Sequence, residues 1–154
     1  MQEVSFAEVM SYAKIAEDNA AGFYQGAAAK AARPEVKAFL LELAGMEQEH
    51  KRHLEGLLQK FEKTGRIPRL HKEIHTLGYA EYIKPAALDA DASYRDVLEA
   101  AMLKEREAVA TYEKLALYVD DPEAKRVFTL LHAEEQKHLK RFETEYDDLT
   151  NQNW

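Results

Sequence analysis

Cysteine is absent from this chain of 154 residues. Its absence excludes disulfide bonds, thiolate zinc sites, cysteine-ligated iron–sulfur clusters and thiol nucleophiles. Any metal ion would therefore have to be bound by histidine and carboxylate side chains. Glycine and proline are also scarce, at 6 and 4 residues. Long stretches contain neither of them, which favours long helices.

The chain also lacks an excess of basic residues. It has 28 Asp and Glu against 21 Lys and Arg, a formal charge of −7, which argues against a nucleic-acid or anionic-membrane partner. No apolar run approaches the ~20 residues needed to cross a bilayer. The first ten residues, MQEVSFAEVM, lack the basic-then-apolar pattern of a signal peptide. We expect a soluble, cytoplasmic protein with no nucleic-acid and no membrane partner.

The positions of proline and glycine divide the chain into four predicted helices. Pro34 suits a first helical turn, and Ser93 suits an N-cap. The breaks near Arg33 and Asp120 are short, so each pair of helices should form an antiparallel hairpin. The predicted helices are 5–32, 34–63, 93–119 and 122–148. We expect one all-α domain over residues 1–154, an antiparallel four-helix bundle with hairpins at 5–63 and 93–148. A long crossover at 64–92, with a short helix near 71–83, would join the hairpins.

The two halves of the chain are related by a shift of 88 positions. Residues 9–56 and 97–144 share 14 identities in 48 positions without a gap. Helical composition explains some alanine matches, but not the polar ones. The polar matches include Glu17 with Glu105, Tyr24 with Tyr112, Glu47 with Glu135, and His50 with His138. The chain therefore has the pattern of a duplicated helical hairpin.

Each predicted helix has an apolar stripe, at spacings of three and four residues, that is interrupted midway by polar residues. The first and third helices each place one Glu there, and the second and fourth each place Glu-x-x-His. The interrupting residues are Glu17, Glu47, His50, Glu105, Glu135 and His138. Each of the four carboxylates lies 15 residues from its hairpin turn, roughly 22 Å along a helix axis. All four should therefore meet at one level in the middle of the bundle.

Four carboxylates converging in an apolar core need compensating charge. Desolvating each ion costs several kcal/mol even after relaxation, and repulsion between like charges adds to that cost. Two divalent cations would neutralise the four carboxylates, and the two imidazoles would complete the coordination. One Glu from each of two helices and Glu-x-x-His from each of the other two is the known ligand set of di-iron and di-manganese carboxylate bundles. A buried network of protonated acids is the alternative without metal.

Four sequence segments resemble motifs of a known family. EDNAAGFYQGAA and EREAVATYEKLA resemble the first-helix motif of rubrerythrin-type members of the ferritin-like superfamily. PEVKAFLLELAGMEQEH and PEAKRVFTLLHAEEQKH resemble the second-helix motif. The resemblance implies a ferritin-like bundle with a non-haem di-iron centre that reacts with hydrogen peroxide or oxygen. By position it implies the metal ligands Glu17, Glu47, His50, Glu105, Glu135 and His138. Glu47 and Glu135 would bridge the two irons, and Glu17 and Glu105 would be terminal ligands.

The chain departs from rubrerythrins proper in two respects. They carry a rubredoxin-like iron domain with cysteine pairs, so a chain without cysteine would need a separate electron-donor protein. They also have an extra Glu one turn after the third-helix ligand, where this chain has Ala108. Three other functions stay open: an iron-binding or ferroxidase protein without peroxidase turnover, di-manganese catalase chemistry, and a metal-free interaction bundle. The ligand types do not select iron over manganese or zinc.

Residues around the predicted ligands carry further expectations. Tyr24 and Tyr112 lie seven residues after the single Glu ligands, and each phenol is expected to hydrogen-bond the Glu of its own helix and to assist catalysis. An ordinary core tyrosine is the alternative. Glu134 could orient a histidine across the bundle on one side only, but a solvated helix edge is our expectation. Apolar residues at 65–70 and 77–83 in the connection predict a homodimer.

Overall fold

The computed structural model describes residues 5–70 and 92–149. These residues form four long helices and, within those two ranges, no strand beyond an isolated bridge between Leu70 and Val119. The helices are α1 (Phe6–Lys30), α2 (Pro34–Thr64), α3 (Tyr94–Tyr118) and α4 (Pro122–Asp147). The all-α prediction is confirmed, and the predicted helix ends lie within two residues of those observed. The short helix expected near 71–83 lies outside the described residues.

The helix ends follow from local sequence. Ser5 caps α1, and Ser93 caps α3 in a reciprocal capping box with Asp96. Proline occupies the first turn of both α2 and α4, where its missing N–H breaks no helical hydrogen bond. Gly65 ends α2 with a φ of 70°, in the left-handed region that glycine adopts without a Cβ clash. None of the described helices is long and apolar enough to span a membrane.

The four helices pack as two hairpins that face each other. α1 packs along α2 and α3 along α4, and the hairpins then meet through α2 against α4 and α1 against α3. Contacts between residues 17 and 112 and between 24 and 105 show that α1 and α3 run antiparallel. This is the up-down-down-up arrangement of a ferritin-like bundle, so the predicted fold is confirmed.

The core consists of two apolar clusters, one toward each end of the bundle. One cluster contains Phe6, Phe61 and Phe128, and the other contains Leu40 and Phe142. Between them lies a layer of buried polar residues, and each helix supplies part of it. The charged and histidine members of that layer are Glu17, Glu47, His50, Glu105, Glu135 and His138. The bundle therefore holds its charged residues at mid-height, with apolar packing above and below.

Candidate metal centre

The structure brings together all six residues that the sequence analysis selected as ligands. α1 and α3 each contribute one Glu, whereas α2 and α4 each contribute a Glu and the His one turn later. Each of the six is at most 2% exposed. A residue three positions after another lies on the same helix face, which is why each His points into the same layer as its Glu.

The six residues form two overlapping groups, each of which could hold one metal ion. In each group the ligand atoms all lie within 4.8 Å of one another. One group is Glu17, Glu47, His50 and Glu135; the other is Glu47, Glu105, Glu135 and His138. Glu47 and Glu135 belong to both groups, which is the placement required of bridging carboxylates. Glu17 and Glu105 belong to one group each, as terminal ligands would.

Both histidines present Nδ1 to the carboxylates. His50 Nδ1 lies 2.9 Å from Glu135 Oε1, and His138 Nδ1 lies 2.9 Å from Glu47 Oε1. The two imidazole rings stack nearly parallel, with centroids 5.6 Å apart and planes 10° apart. Nδ1 is therefore the nitrogen available to a metal ion in each ring, and Nε2 points away from the four ligand carboxylates.

The donor atoms of the site lack hydrogen-bond partners. Within residues 5–70 and 92–149, one inward atom of each ligand is buried and makes no hydrogen bond of acceptable geometry, although each Nδ1 lies 2.9 Å from a carboxylate oxygen. These atoms are Glu17 Oε2, Glu47 Oε1, Glu105 Oε2, Glu135 Oε1, His50 Nδ1 and His138 Nδ1. Buried polar atoms in folded proteins are normally paired, because an unpaired one costs about 1–3 kcal/mol. A structural polar network would pair them, whereas hard or borderline divalent cations bind these nitrogen and carboxylate donors directly. The donor set therefore fits a pair of metal ions.

Burial makes the shared carboxylates weak acids. It raises the pKa of Glu47 well above its ordinary value, and the neighbouring charge of Glu135 raises it further. Burial raises the pKa of Glu135 in the same way, with the charge of Glu105 adding to it. Burial also acts to raise the pKa of Glu17, but contacts with Glu47 and His50 lower it overall. Burial therefore favours the protonated form of both bridging candidates when metal is absent.

Neighbouring carboxylates raise the pKa of both histidines in this layer. Burial acts to lower the pKa of His138, but contacts with Glu105 and Glu47 raise it to about 9. Burial likewise opposes the charged form of His50, and contacts with Glu17 and Glu134 raise its pKa. Metal ligands must be deprotonated, so a metal ion entering the site has to displace these protons.

The tyrosine hydroxyl groups reach carboxylates of the opposite hairpin. Tyr24 donates a hydrogen bond of 2.6 Å to Glu105 Oε1, and Tyr112 donates one of 2.5 Å to Glu17 Oε1. The prediction that each phenol bonds the Glu of its own helix is wrong. Seven residues span roughly 10 Å of helix axis, whereas the antiparallel packing of α1 and α3 places each Tyr beside the opposing Glu. Burial and the charge of Glu105 raise the pKa of Tyr24 well above 10, which keeps its hydroxyl a donor.

Glu134 contacts a predicted ligand instead of forming a solvated helix edge. Its Oε2 lies 2.5 Å from His50 Nε2, and its side chain is only 30% exposed. The expected solvated edge is therefore wrong, because α2 and α4 pack closely enough for Glu134 to span them. The equivalent position in the first half of the chain is Met46. Within the described residues, His138 Nε2 is buried without a hydrogen-bond partner.

A small cavity opens onto the site between α1 and α3, with a volume of about 20 Å³. That volume holds roughly one water molecule. The cavity is lined by the four ligand glutamates and by Ala16, Ala20, Lys104, Glu107 and Ala108. Burial lowers the pKa of Lys104, while the charges of Glu107 and Glu105 oppose this. Lys104 was not among the predicted site residues, because its repeat counterpart is Ala16 and no motif marks the position.

The family comparison agrees with this geometry. The family model described as Rubrerythrin matches residues 8–146, a range that contains all six predicted ligands and both site tyrosines. No curated protein matches the chain. The family implies a di-iron site, and the buried clusters offer the carboxylate and imidazole donors that such a site uses. Because the family model matches nearly the whole chain, the chain belongs to the rubrerythrin family.

Proposed function

We propose that this protein is a di-iron oxidoreductase that reduces hydrogen peroxide or oxygen. The observation that carries the proposal is the pair of overlapping ligand groups that share Glu47 and Glu135. When bound there, two iron ions would supply two electrons to peroxide or oxygen. Glu17 and His50 would hold one iron, Glu105 and His138 the other, and the shared carboxylates would hold both.

The small cavity supports the proposed choice of substrate. Its walls include the four ligand glutamates but neither ligand histidine, so it reaches the site from the α1 and α3 side. A space for about one water molecule suits a diatomic or peroxide-sized substrate and excludes larger organic ones. The alanine side chains at positions 16, 20 and 108 leave that space open.

The protein's own side chains would orient the carboxylates during the reaction. Tyr24 and Tyr112 hold one oxygen each of Glu105 and Glu17 by hydrogen bonds, leaving Oε2 of each carboxylate to face inward. Such contacts fix a ligand in the orientation that a metal ion needs. Reduction of peroxide to water also consumes two protons. Tyr24 would keep its own proton, because burial and the charge of Glu105 raise the pKa of its hydroxyl group well above the ordinary value.

The proposal includes two protein partners. A chain without cysteine has no thiolate-ligated iron of its own to relay electrons. The electrons would therefore come from a separate donor protein. We propose in addition that the protein works as a homodimer, because the apolar side chain of Ile67, just after α2, is 50% exposed and would be covered by a second copy.

The test is anaerobic stopped-flow spectroscopy of the protein loaded with ferrous iron. The proposal predicts rapid oxidation by hydrogen peroxide or by oxygen, followed by repeated turnover when a reductant is supplied. The Glu135→Ala variant should lose this reaction. Failure of both oxidants to oxidise the loaded wild-type protein would overturn the proposal.

A second function is favoured by one residue. Rubrerythrins proper carry an extra Glu where Ala108 lies, beside the cavity. Without it the site has a symmetric six-residue ligand set, which suits capture and oxidation of ferrous iron without peroxidase turnover. Under this alternative, the protein would oxidise added ferrous iron once and then retain or release ferric iron. Ferric iron accumulating beyond two ions per chain, without catalytic peroxide consumption, would favour it.

A further inference from the structure

The two halves of the metal site differ at one contact, although the chain is an internal repeat. Each histidine has its Nδ1 within 2.9 Å of a shared carboxylate, in symmetric fashion. At Nε2, on the side of each imidazole ring away from the ligand carboxylates, the two histidines differ. His50 Nε2 lies 2.5 Å from Glu134, whereas His138 Nε2 is buried and has no hydrogen-bond partner within the described residues.

The repeat itself accounts for the difference. A shift of 88 positions relates Glu134 to Met46 and His50 to His138. Glu134 reaches across from α4 to α2, so the symmetric contact would need a carboxylate at position 46 reaching from α2 to α4. Methionine lacks a strong hydrogen-bond acceptor, and Met46 instead packs against the apolar cluster around Phe142.

The contact matters because a neutral imidazole has one donor nitrogen and one acceptor nitrogen. A carboxylate that accepts a hydrogen bond from Nε2–H keeps the proton on Nε2. The lone pair then lies on Nδ1, the nitrogen that faces the metal groups, and the contact increases the basicity of Nδ1. Among residues 5–70 and 92–149, no side chain makes such a contact with His138, so none of them fixes the proton on its Nε2. When its proton sits on Nδ1, that nitrogen cannot bind a metal ion.

We infer that Glu134 makes the two metal positions unequal. The metal position formed by Glu17 and His50 binds its ion first and more tightly than the one formed by Glu105 and His138. Glu134 is a positioning residue, since it acts through His50. The position of Glu105 and His138 fills second and exchanges its ion more readily. The inference rests on the proposed function only in requiring that the six residues bind two divalent ions.

The test is titration of the full-length, chelator-treated protein with Co²⁺, followed by visible absorption and by calorimetry. Two binding steps alone prove nothing, because shared carboxylates and charge repulsion separate the steps even in a symmetric site. Variants supply the test. Removing a carboxylate behind a ligand histidine typically weakens metal affinity about 10–100-fold, so Glu134→Met should weaken the first step by about that factor. Glu134→Gln, which keeps a hydrogen-bond acceptor, should weaken it less.

Ligand deletions identify which position fills first. In the wild-type background, His138→Ala should leave the first step intact, and His50→Ala should abolish it. The double variant Glu134→Met with Met46→Glu exchanges the two side chains between the repeat-related positions. In it the effects of the two histidine deletions should be reversed. Thermal melting of each chelated variant checks that the fold is kept. If the double variant does not fold, the single His deletions still decide the order.

The possible results separate this inference from the proposed function. Equal effects of His50→Ala and His138→Ala on the first step, or a first step unchanged in Glu134→Met, would overturn the inference alone. No Co²⁺ uptake by the wild-type protein would overturn the dinuclear site, and with it the proposed function.

Discussion

At the scale of single residues, each side chain of the site serves both packing and charge. Tyr24 belongs to the apolar cluster that contains Phe142, with the two rings stacked at 5.5 Å, while its hydroxyl group bonds Glu105. Tyr112 does the same beside Phe128 and Glu17. The tyrosines thus fasten one hairpin to the other through the carboxylates that a metal ion would use.

This contact predicts a measurable loss of stability in the Tyr24→Phe variant. The change leaves Glu105 Oε1 buried without its donor, and an unsatisfied buried acceptor costs about 1–3 kcal/mol. Urea unfolding of the chelator-treated protein measures the loss. Tyr146→Phe is the matched control, because that hydroxyl bonds Glu99 at the surface at 3.0 Å, where a change within about 0.5 kcal/mol is expected. Equal losses in the two variants would contradict the role given to Tyr24.

The sequence was sufficient to select the ligands but not their neighbours. Glu17 and Glu105 interrupt apolar stripes, and Glu-x-x-His occurs twice at matching depth, so local periodicity reveals all six residues. The partners of Tyr24 and Glu134 lie on the opposite hairpin. Which residues meet there depends on the rotation and spacing of packed helices, and one helix's periodicity contains no information about either.

At the scale of the helix, capping and apolar spacing define each element. The polar residues predicted to interrupt the inward stripes of α2 and α4 are all buried, and Pro34 and Pro122 begin those helices as predicted. The hairpin turns are short and proline-led, so their positions could be predicted closely. The connection from Gly65 to Ser93 has no comparable periodic pattern.

The capping box of α3 gives a prediction at this scale. Ser93 accepts a hydrogen bond of 3.1 Å from the Asp96 amide, and Asp96 accepts one of 3.0 Å from the Ser93 amide. Ser93→Ala removes the side-chain half of the box and should lower the free energy of unfolding by about 1 kcal/mol. Chemical denaturation measures this. The exposed mid-helix change Ser11→Ala should have no destabilising effect, since alanine has the higher helix propensity. A neutral Ser93→Ala would show that the cap contributes little.

At the scale of the whole molecule, the charge of the buried middle layer depends on how many of its carboxylates and histidines are protonated. Without metal, the raised pKa values of Glu47, Glu135 and the two histidines favour protonation, which reduces the net negative charge of the layer. Metal ions would replace those protons. Stability and metal binding should therefore respond to pH in opposite directions.

The pH dependence of the metal-free protein follows from His138. Its pKa rises from 6.5 to about 9 on folding, so the folded state binds that proton more tightly than the unfolded state does. The resulting stabilisation is fully present below pH 6.5 and is lost as the pH rises through about 9. The raised pKa values of Glu47 and Glu135 act in the same direction. We expect the melting temperature in excess chelator to fall between pH 6.5 and 9, by about 2–4 °C for each kcal/mol lost.

Two comparisons check the origin of this effect. His138→Gln removes one of the titrating groups and should flatten the curve between pH 6.5 and 9. Addition of Co²⁺ should reverse the slope, since metal affinity increases when the ligands are deprotonated. A metal-free protein that becomes more stable over this range would contradict the assigned protonation states.

The dinuclear site itself is tested most directly by the metal content of the protein, purified without oxygen and without added metal. Elemental analysis should find about two iron ions per chain, as in di-iron carboxylate bundles. Glu47→Ala and Glu135→Ala should lose them, whereas Glu49→Ala, an exposed acid on the same helix as Glu47, should keep them. About two manganese ions would keep the site and contradict the iron chemistry. No metal, together with unchanged stability on addition of ferrous iron, would show that the six residues are a structural polar network.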